Sequence, residues 1–170
     1  MESLVKKMTL KFDSTNMRRT SNNFQVAAHC FHYSMLITQL AIDSKKEETL
    51  ISSSEDTFLE YITSLIPNEA SFTEKLKLMC EIFSRIGFGK IEPVFIAKDF
   101  GEFKLTRSHF DEGWLKKWGK SDRPVNLIGY GYISAMFSIL FDLPRKSFRT
   151  LETTSICKGE RFSYINIYKV

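Results

Sequence analysis

The stretch at residues 125–143, VNLIGYGYISAMFSILFDL, decides the fold. Its apolar residues fall on all sides of a helical wheel, and a helix of that kind is buried all round. Gly129 and Gly131 stand in its first turns, and Pro144 lies just beyond its end. A glycine inside a helix costs about 1 kcal/mol against alanine. Close approach of another backbone or of a ligand usually offsets that cost. Two readings stay open: tight packing of a neighbouring element, or a small-residue wall beside a ligand cavity.

On either side of this helix the pattern changes to strands. KIEPVFIAKDF and GEFKLTRSHF read as two strands joined through Asp99-Phe100-Gly101, with Phe103, Leu105 and Arg107 alternating with Lys104 and Thr106. HFDEGWLKKWGKSDRP follows as a short amphipathic stretch of one or two helical turns and a loop. Two more strands close the chain, at about residues 147–156 and 162–168, around a Lys158-Gly159-Glu160 turn with Cys157 beside it.

Upstream, residues 23–44 predict a first buried helix, capped by Asn22 or Asn23 and placed centrally or at a dimer interface. The polar residues 45–56 read as a loop. Ser54-Glu55-Asp56 then opens a helix with its apolar face on Phe58, Leu59, Ile62, Leu65 and Ile66, ended by Pro67-Asn68. Ser71 and Glu74 form a capping box for the next helix, and Gly87 is placed at its C-terminus. Residues 2–13 partly alternate as a short strand, and Asp13 to Asn16 reads as a turn. Helices first, then strands around a single helix, predict an α+β fold. Its antiparallel sheet has about four strands with helices packed on one side, in one domain spanning 1–170.

Composition narrows the function. Apolar residues at 43% and charged residues at 26% describe a globular chain, and 15 phenylalanines among 170 residues predict a ring-rich core. Such interiors suit flat or greasy ligands. The net charge of +4 is spread over short pairs such as Lys6-Lys7 and Lys116-Lys117, so no nucleic-acid partner is expected. Three widely spaced cysteines, Cys30, Cys80 and Cys157, do not form a disulfide framework. With no apolar run reaching the roughly 18 residues needed to span a bilayer, the expected location is cytoplasmic. No Gly-rich strand-to-helix fingerprint supports a dinucleotide.

Three constellations are candidates for chemistry. His29 and His32 share a helical face at i and i+3, and His109 is the remaining histidine. A zinc site needs three or four converging ligands, so one here requires His109, Cys80 or Cys157 to join His29 and His32, whereas a heme needs only one of the histidines as an axial ligand. Trp114 and Trp118, at i and i+4, pack in the core or cover a pocket mouth. Asp111 and Glu112 diverge on a helix and make a poor carboxylate pair. Cys157 has Lys158, Arg161 and Lys169 close in sequence, which favours a thiolate, but no spacing supplies the orienting base that a nucleophile needs. No catalytic residue is assigned.

The C-terminal part, NLIGYGYISAMFSILFDL followed by a basic linker, ETTSICKGE and FSYINI, resembles the 4-vinyl reductase domain, also called the hydrocarbon-binding domain. That family is related in fold to subunits of the TRAPP trafficking complex. It carries a Cys-x-x-x-Gly-Asp-x-x-x-Cys-like hairpin. With Gly159 as anchor, Glu160 matches the acid, while Ser155 and Ser163 stand where the family has its cysteines. The resemblance covers about residues 88–170. It implies a homodimer and a small apolar molecule held between helices and sheet, in a family that includes sensor modules and proteins of pigment biosynthesis. The expectation for this chain is a binding or sensing module without catalysis of its own and with no cofactor beyond that apolar ligand. The residues expected to line that pocket are Phe31, Met35, Trp114, Tyr130, Tyr132, Phe137 and Cys157. A metal- or heme-binding protein using the His29/His32 region and a TRAPP-like dimeric scaffold are the alternatives.

Overall fold

The structure, a computed structural model, describes residues 10–21, 24–27 and 30–170, without the side chains of Phe24 and Phe31. The chain runs β1 (Lys11–Asp13), β2 (Arg18–Ser21), β3 (Phe24–Val26), α1 (Phe31–Asp43), α2 (Glu47–Thr63), α3 (Phe72–Arg85), β4 (Gly89–Ile96), β5 (Phe100–Ser108), α4 (His109–Trp118), α5 (Leu127–Phe141), β6 (Phe148–Thr154) and β7 (Ser163–Lys169). A single 3-10 turn, Ile156–Lys158, joins the last two strands. The fold is α+β, with an antiparallel four-stranded sheet in the order β4-β5-β7-β6. A small antiparallel sheet β1-β2-β3 precedes it.

The main sheet shows the period-two burial of a half-covered surface. Phe103, Leu105, Ile165 and Ile167 are buried on one face, while Glu102, Lys104, Asn166 and Tyr168 stand on the other. The edge strand β4 carries Pro93, tolerated there because no further strand needs its missing N–H.

α5 is the central helix, as its all-round apolarity requires. Leu127, Tyr130, Tyr132, Ile133, Met136, Phe137 and Leu140 are all buried along it. The Phe137 ring lies directly on Gly101 of β5, and it packs edge-on to Phe103 and Phe148 at 5.9 and 5.1 Å. A second ring cluster gathers Phe58, Phe83 and Phe88 around Tyr132, whose hydroxyl donates to Met79 O at 2.6 Å, and Phe110 packs on Phe88. Seven of the 15 phenylalanines stand in these two clusters.

Two helix boundaries differ from the sequence reading. The helix expected from residue 23 begins only at Phe31, because Phe24–Val26 pairs with β2 in the register Ser21↔Phe24, Thr20↔Gln25, Arg19↔Val26. The expected caps Asn22 and Asn23 lie outside the described residues. α1 is also not buried all round, since Tyr33, Leu36 and Leu40 are exposed along it.

The stretch 45–56, expected as a loop, is mostly helix, because α2 starts at Glu47. Its serines read as loop formers but serve as small contact residues. A Cβ built on Gly131 of α5 would meet Ser54 Cβ and Ile51 O of α2, each at 2.5 Å. The two backbones touch closely there, so tertiary packing overrides the local propensity. Helix α3 follows its reading. Ser71 and Glu74 form the capping box, and Gly87 follows the helix in the left-handed region at φ +90°.

Candidate functional site

The positions expected to surround a ligand divide in two. Met35, Tyr130, Tyr132, Phe137 and Cys157 are enclosed in packed interior. Trp114 is also mostly buried, but it borders an open groove of about 410 Å³. Gln39, Ile42 and Asp43 of α1 form one wall, Trp114 and Trp118 of α4 another, and residues 120–123 the third. The two indoles are in tilted contact at 4.6 Å, as their i, i+4 spacing allows. Trp118 is 41% exposed, and Lys117 Nζ lies 4.2 Å from the centre of its ring. The groove offers two indole faces together with the polar and charged groups of Gln39, Asp43, Lys120, Ser121, Asp122 and Arg123.

The glycines of α5 do not wall this groove. Gly131 faces α2, and Gly129 faces the side chain of Asn126, the helix N-cap that accepts from Gly129 N at 3.1 Å. Of Phe31 only its place at the start of α1 is described.

The third wall is tied to the C-terminal hairpin. Ser121 N donates to Cys157 O at 2.9 Å, and Cys157 Sγ donates to Arg123 O at 3.4 Å. Cys157 is fully buried, and burial pushes its thiol up to about 12, so the basic residues near it in sequence do not yield a thiolate.

Beneath Cys157 lies a buried polar cluster that the sequence reading missed. Asp111, at the start of α4, has no exposed surface. It hydrogen-bonds to the Ser108 hydroxyl, and Ser155 Oγ donates to it at 3.2 Å. Ser155 Oγ lies 3.0 Å from Cys157 Sγ, and Asn126 Nδ2 donates to Ser108 Oγ at 3.4 Å. Tyr130 of α5 donates its hydroxyl proton to Glu152 Oε2 at 2.5 Å. Ser163 Oγ accepts from Ile156 N at 2.9 Å.

A strand irregularity builds this cluster. Strict alternation from Glu152 would turn Thr154 inward, but a bulge between Glu152 and Thr154 leaves Thr153 and Thr154 exposed and Ser155 buried. Desolvation raises the pKa of both acids, and that of Glu152 reaches about 7, with the nearby Asp111 adding to the rise. Glu112 instead points outward and takes two bonds from Arg107, at 2.7 and 2.9 Å, which hold its carboxyl below the usual range. The divergence of these adjacent acids was legible; the burial of Asp111 was not. An acid at an inward strand position, Glu152, was the signal that could have pointed here.

Of the histidines, His29 lies outside the described residues. His32 is exposed on α1. His109 opens α4 with its ring 5.7 Å from Phe110, and burial lowers its pKa. Among the described residues no three histidine, cysteine, aspartate or glutamate side chains gather as metal ligands do.

No family model matches the chain, and no curated protein matches it. Solved structures do match in fold. The phenol-responsive sensory domain of the transcription activator PoxR, solved with phenol, aligns over 98% of this chain and 86% of its own, with a TM-score of 0.77 at 15% identity. A vinyl-4-reductase family protein from Methanocaldococcus jannaschii aligns over 85% of this chain and 84% of its own, with a TM-score of 0.56 at 16% identity. Trafficking protein particle complex subunit 3 from Naegleria fowleri, solved covalently bound to palmitic acid, covers 82% of this chain and 91% of its own, with a TM-score of 0.56 at 12% identity. The chain therefore has the fold shared by these sensory, vinyl-4-reductase and trafficking-complex proteins. Among the described residues no helix is long and apolar enough to cross a membrane.

Proposed function

We propose that this chain is a small-molecule binding or sensing module whose ligand is hydrocarbon-like or aromatic, and that it performs no catalysis of its own. The observation that carries this reading is the groove bounded by the Trp114–Trp118 pair, on a fold that aligns along 98% of its length with a phenol-responsive sensory domain. An aromatic ring laid against Trp118 would bury apolar area on both partners and leave its polar end facing Gln39, Asp43 or Ser121. The test is mass spectrometry of small molecules released from the purified, denatured protein. A stoichiometric aromatic or apolar compound supports the reading. Protein that carries nothing, and takes up no monocyclic aromatic when soaked with one, contradicts it.

The palmitoylated trafficking subunit suggests a covalent variant, with an acyl chain on a cysteine. Cys80 borders an apolar groove between α3 and β4, lined by Leu76, Ile91 and Pro93. Burial pushes its thiol up to about 12, which leaves almost no thiolate at neutral pH. Cys80 is therefore a poor place for such a bond.

A dimer is the second part of the proposal. Tyr33, Leu36 and Leu40 are between 48% and 58% exposed at i, i+3 and i+7 of α1. That spacing forms a stripe along one helix face, which a second copy of the chain would cover.

A further inference from the structure

We propose that Glu152 and Asp111, enclosed with Tyr130, Ser155 and Cys157, form a proton-held latch that fastens the C-terminal hairpin to α4 and α5. The inference does not depend on the ligand. Three elements meet at the latch. β6 supplies Glu152, α4 supplies Asp111, and α5 supplies Tyr130, while Ser155 and Cys157 come from the 3-10 connection and its N-cap. The titratable groups facing Glu152 and Tyr130 are each other, Asp111 and Cys157. All four are acids, and among the described residues no cation is a principal influence on either carboxyl. Two carboxylates in one dry space repel each other, so the cluster is comfortable only while a proton stays on it.

Hydrogen bonding agrees with that state. Glu152 Oε2 takes the Tyr130 hydroxyl, but its Oε1 is buried with no partner. An unbonded oxygen is tolerable on a neutral carboxylic acid and far more costly on a carboxylate. Ser155 donates to Asp111, while Ser163 accepts from Ile156 N and keeps its own hydroxyl proton, which lies near enough to Glu152 to temper the rise in its pKa but makes no bond of normal geometry to Oε1. The hairpin positions that carry cysteines in the hydrocarbon-binding family are thus serines that close a hydrogen-bonded network. Hydroxyls are poor metal ligands, and these residues fit a proton better than a metal ion.

The proton links the latch to pH with a definite sign. A carboxyl whose pKa is raised on folding stabilises the fold fully below its unfolded value and ceases to do so as pH rises through its folded value. For Glu152 the window runs from about 4.5 to about 7. The test compares thermal unfolding of the wild type and Glu152→Gln from about pH 5 to about pH 8. The wild-type Tm should fall by several degrees across that range, and the variant, whose neutral amide keeps an acceptor for Tyr130, should lose less than half as much. Should the variant not fold, infrared spectra of the wild type decide. A neutral-acid carbonyl band present near pH 6 should vanish with a midpoint near pH 7. Absence of that band, equal pH slopes in the two proteins, or a Tm that rises with added zinc and falls with a chelator would overturn the proposal.

Discussion

The hydroxyl of Tyr130 on α5 meets the carboxyl of Glu152 on β6 at 2.5 Å, and both side chains are buried. This bond spans helix and sheet, next to the hairpin that ends the chain. Removing one partner leaves the other buried without its bond, which typically costs 1–3 kcal/mol and more when a charge is involved. Tyr130→Phe should therefore lower the unfolding free energy by about 2 kcal/mol, as read from urea denaturation. The loss should grow from about pH 5 to about pH 8, because the Tyr130 hydroxyl is the hydrogen-bond donor to Glu152 and a carboxylate needs that donor more than a neutral acid does. A variant as stable as the wild type at every pH would mean that the bond contributes nothing.

Gly131 separates the two explanations of the glycines in α5. A methyl group there would press on Ile51 O and Ser54 Cβ at 2.5 Å and on Glu55 N at 2.7 Å, most of it backbone that does not yield. Gly131→Ala should destabilise by about 1–3 kcal/mol, the usual cost of overpacking. The loss should appear in the same denaturation experiment without any ligand present. A neutral substitution would mean that α2 and α5 are less tightly joined.

The capping box at the start of α3 gives a local control. Ser71 Oγ accepts from Glu74 N, and Glu74 Oε2 accepts from Ser71 N at 2.9 Å. Ser71→Ala should cost about 1 kcal/mol, with no change in ligand binding or oligomeric state.

The α1 stripe predicts assembly. Light scattering should give twice the chain mass for the wild type and the single-chain mass for a Leu36→Glu/Leu40→Glu double variant. Both leucines are about half exposed, so the change should leave the fold intact. A monomeric wild type would refute the dimer.

The legible part of the fold was the part where period and burial agree. Val125 to Leu143 reads as a buried helix because every side of it is apolar, and Phe103 and Leu105 alternate with Lys104 and Thr106 as a strand, although Arg107, read with them, is exposed. What escaped depends on partners distant in sequence. Ser52 to Ser54 reads as loop until Gly131 is brought against it. Phe24 to Val26 reads as helix until β2 pairs with it. The polar cluster was hidden for the same reason, since Asp111 and Glu152 stand 41 positions apart in the chain and only the bulge in β6 turns Glu152 and Ser155 inward together. For the site, aromatic content and the Trp114/Trp118 spacing were readable, whereas the groove beside them needs α1 and residues 120–123 folded around it.

Native mass spectrometry of the folded protein with phenol, toluene and a medium-chain fatty acid tests the central claim most directly. The account predicts one aromatic molecule bound per chain in the wild type, and at least tenfold weaker binding after Trp118→Ala with the chain still folded, since Trp118 is 41% exposed and stands at the groove rather than in the core. Wild-type protein that binds none of the three compounds, or a Trp118→Ala variant that binds as tightly as the wild type, would contradict it.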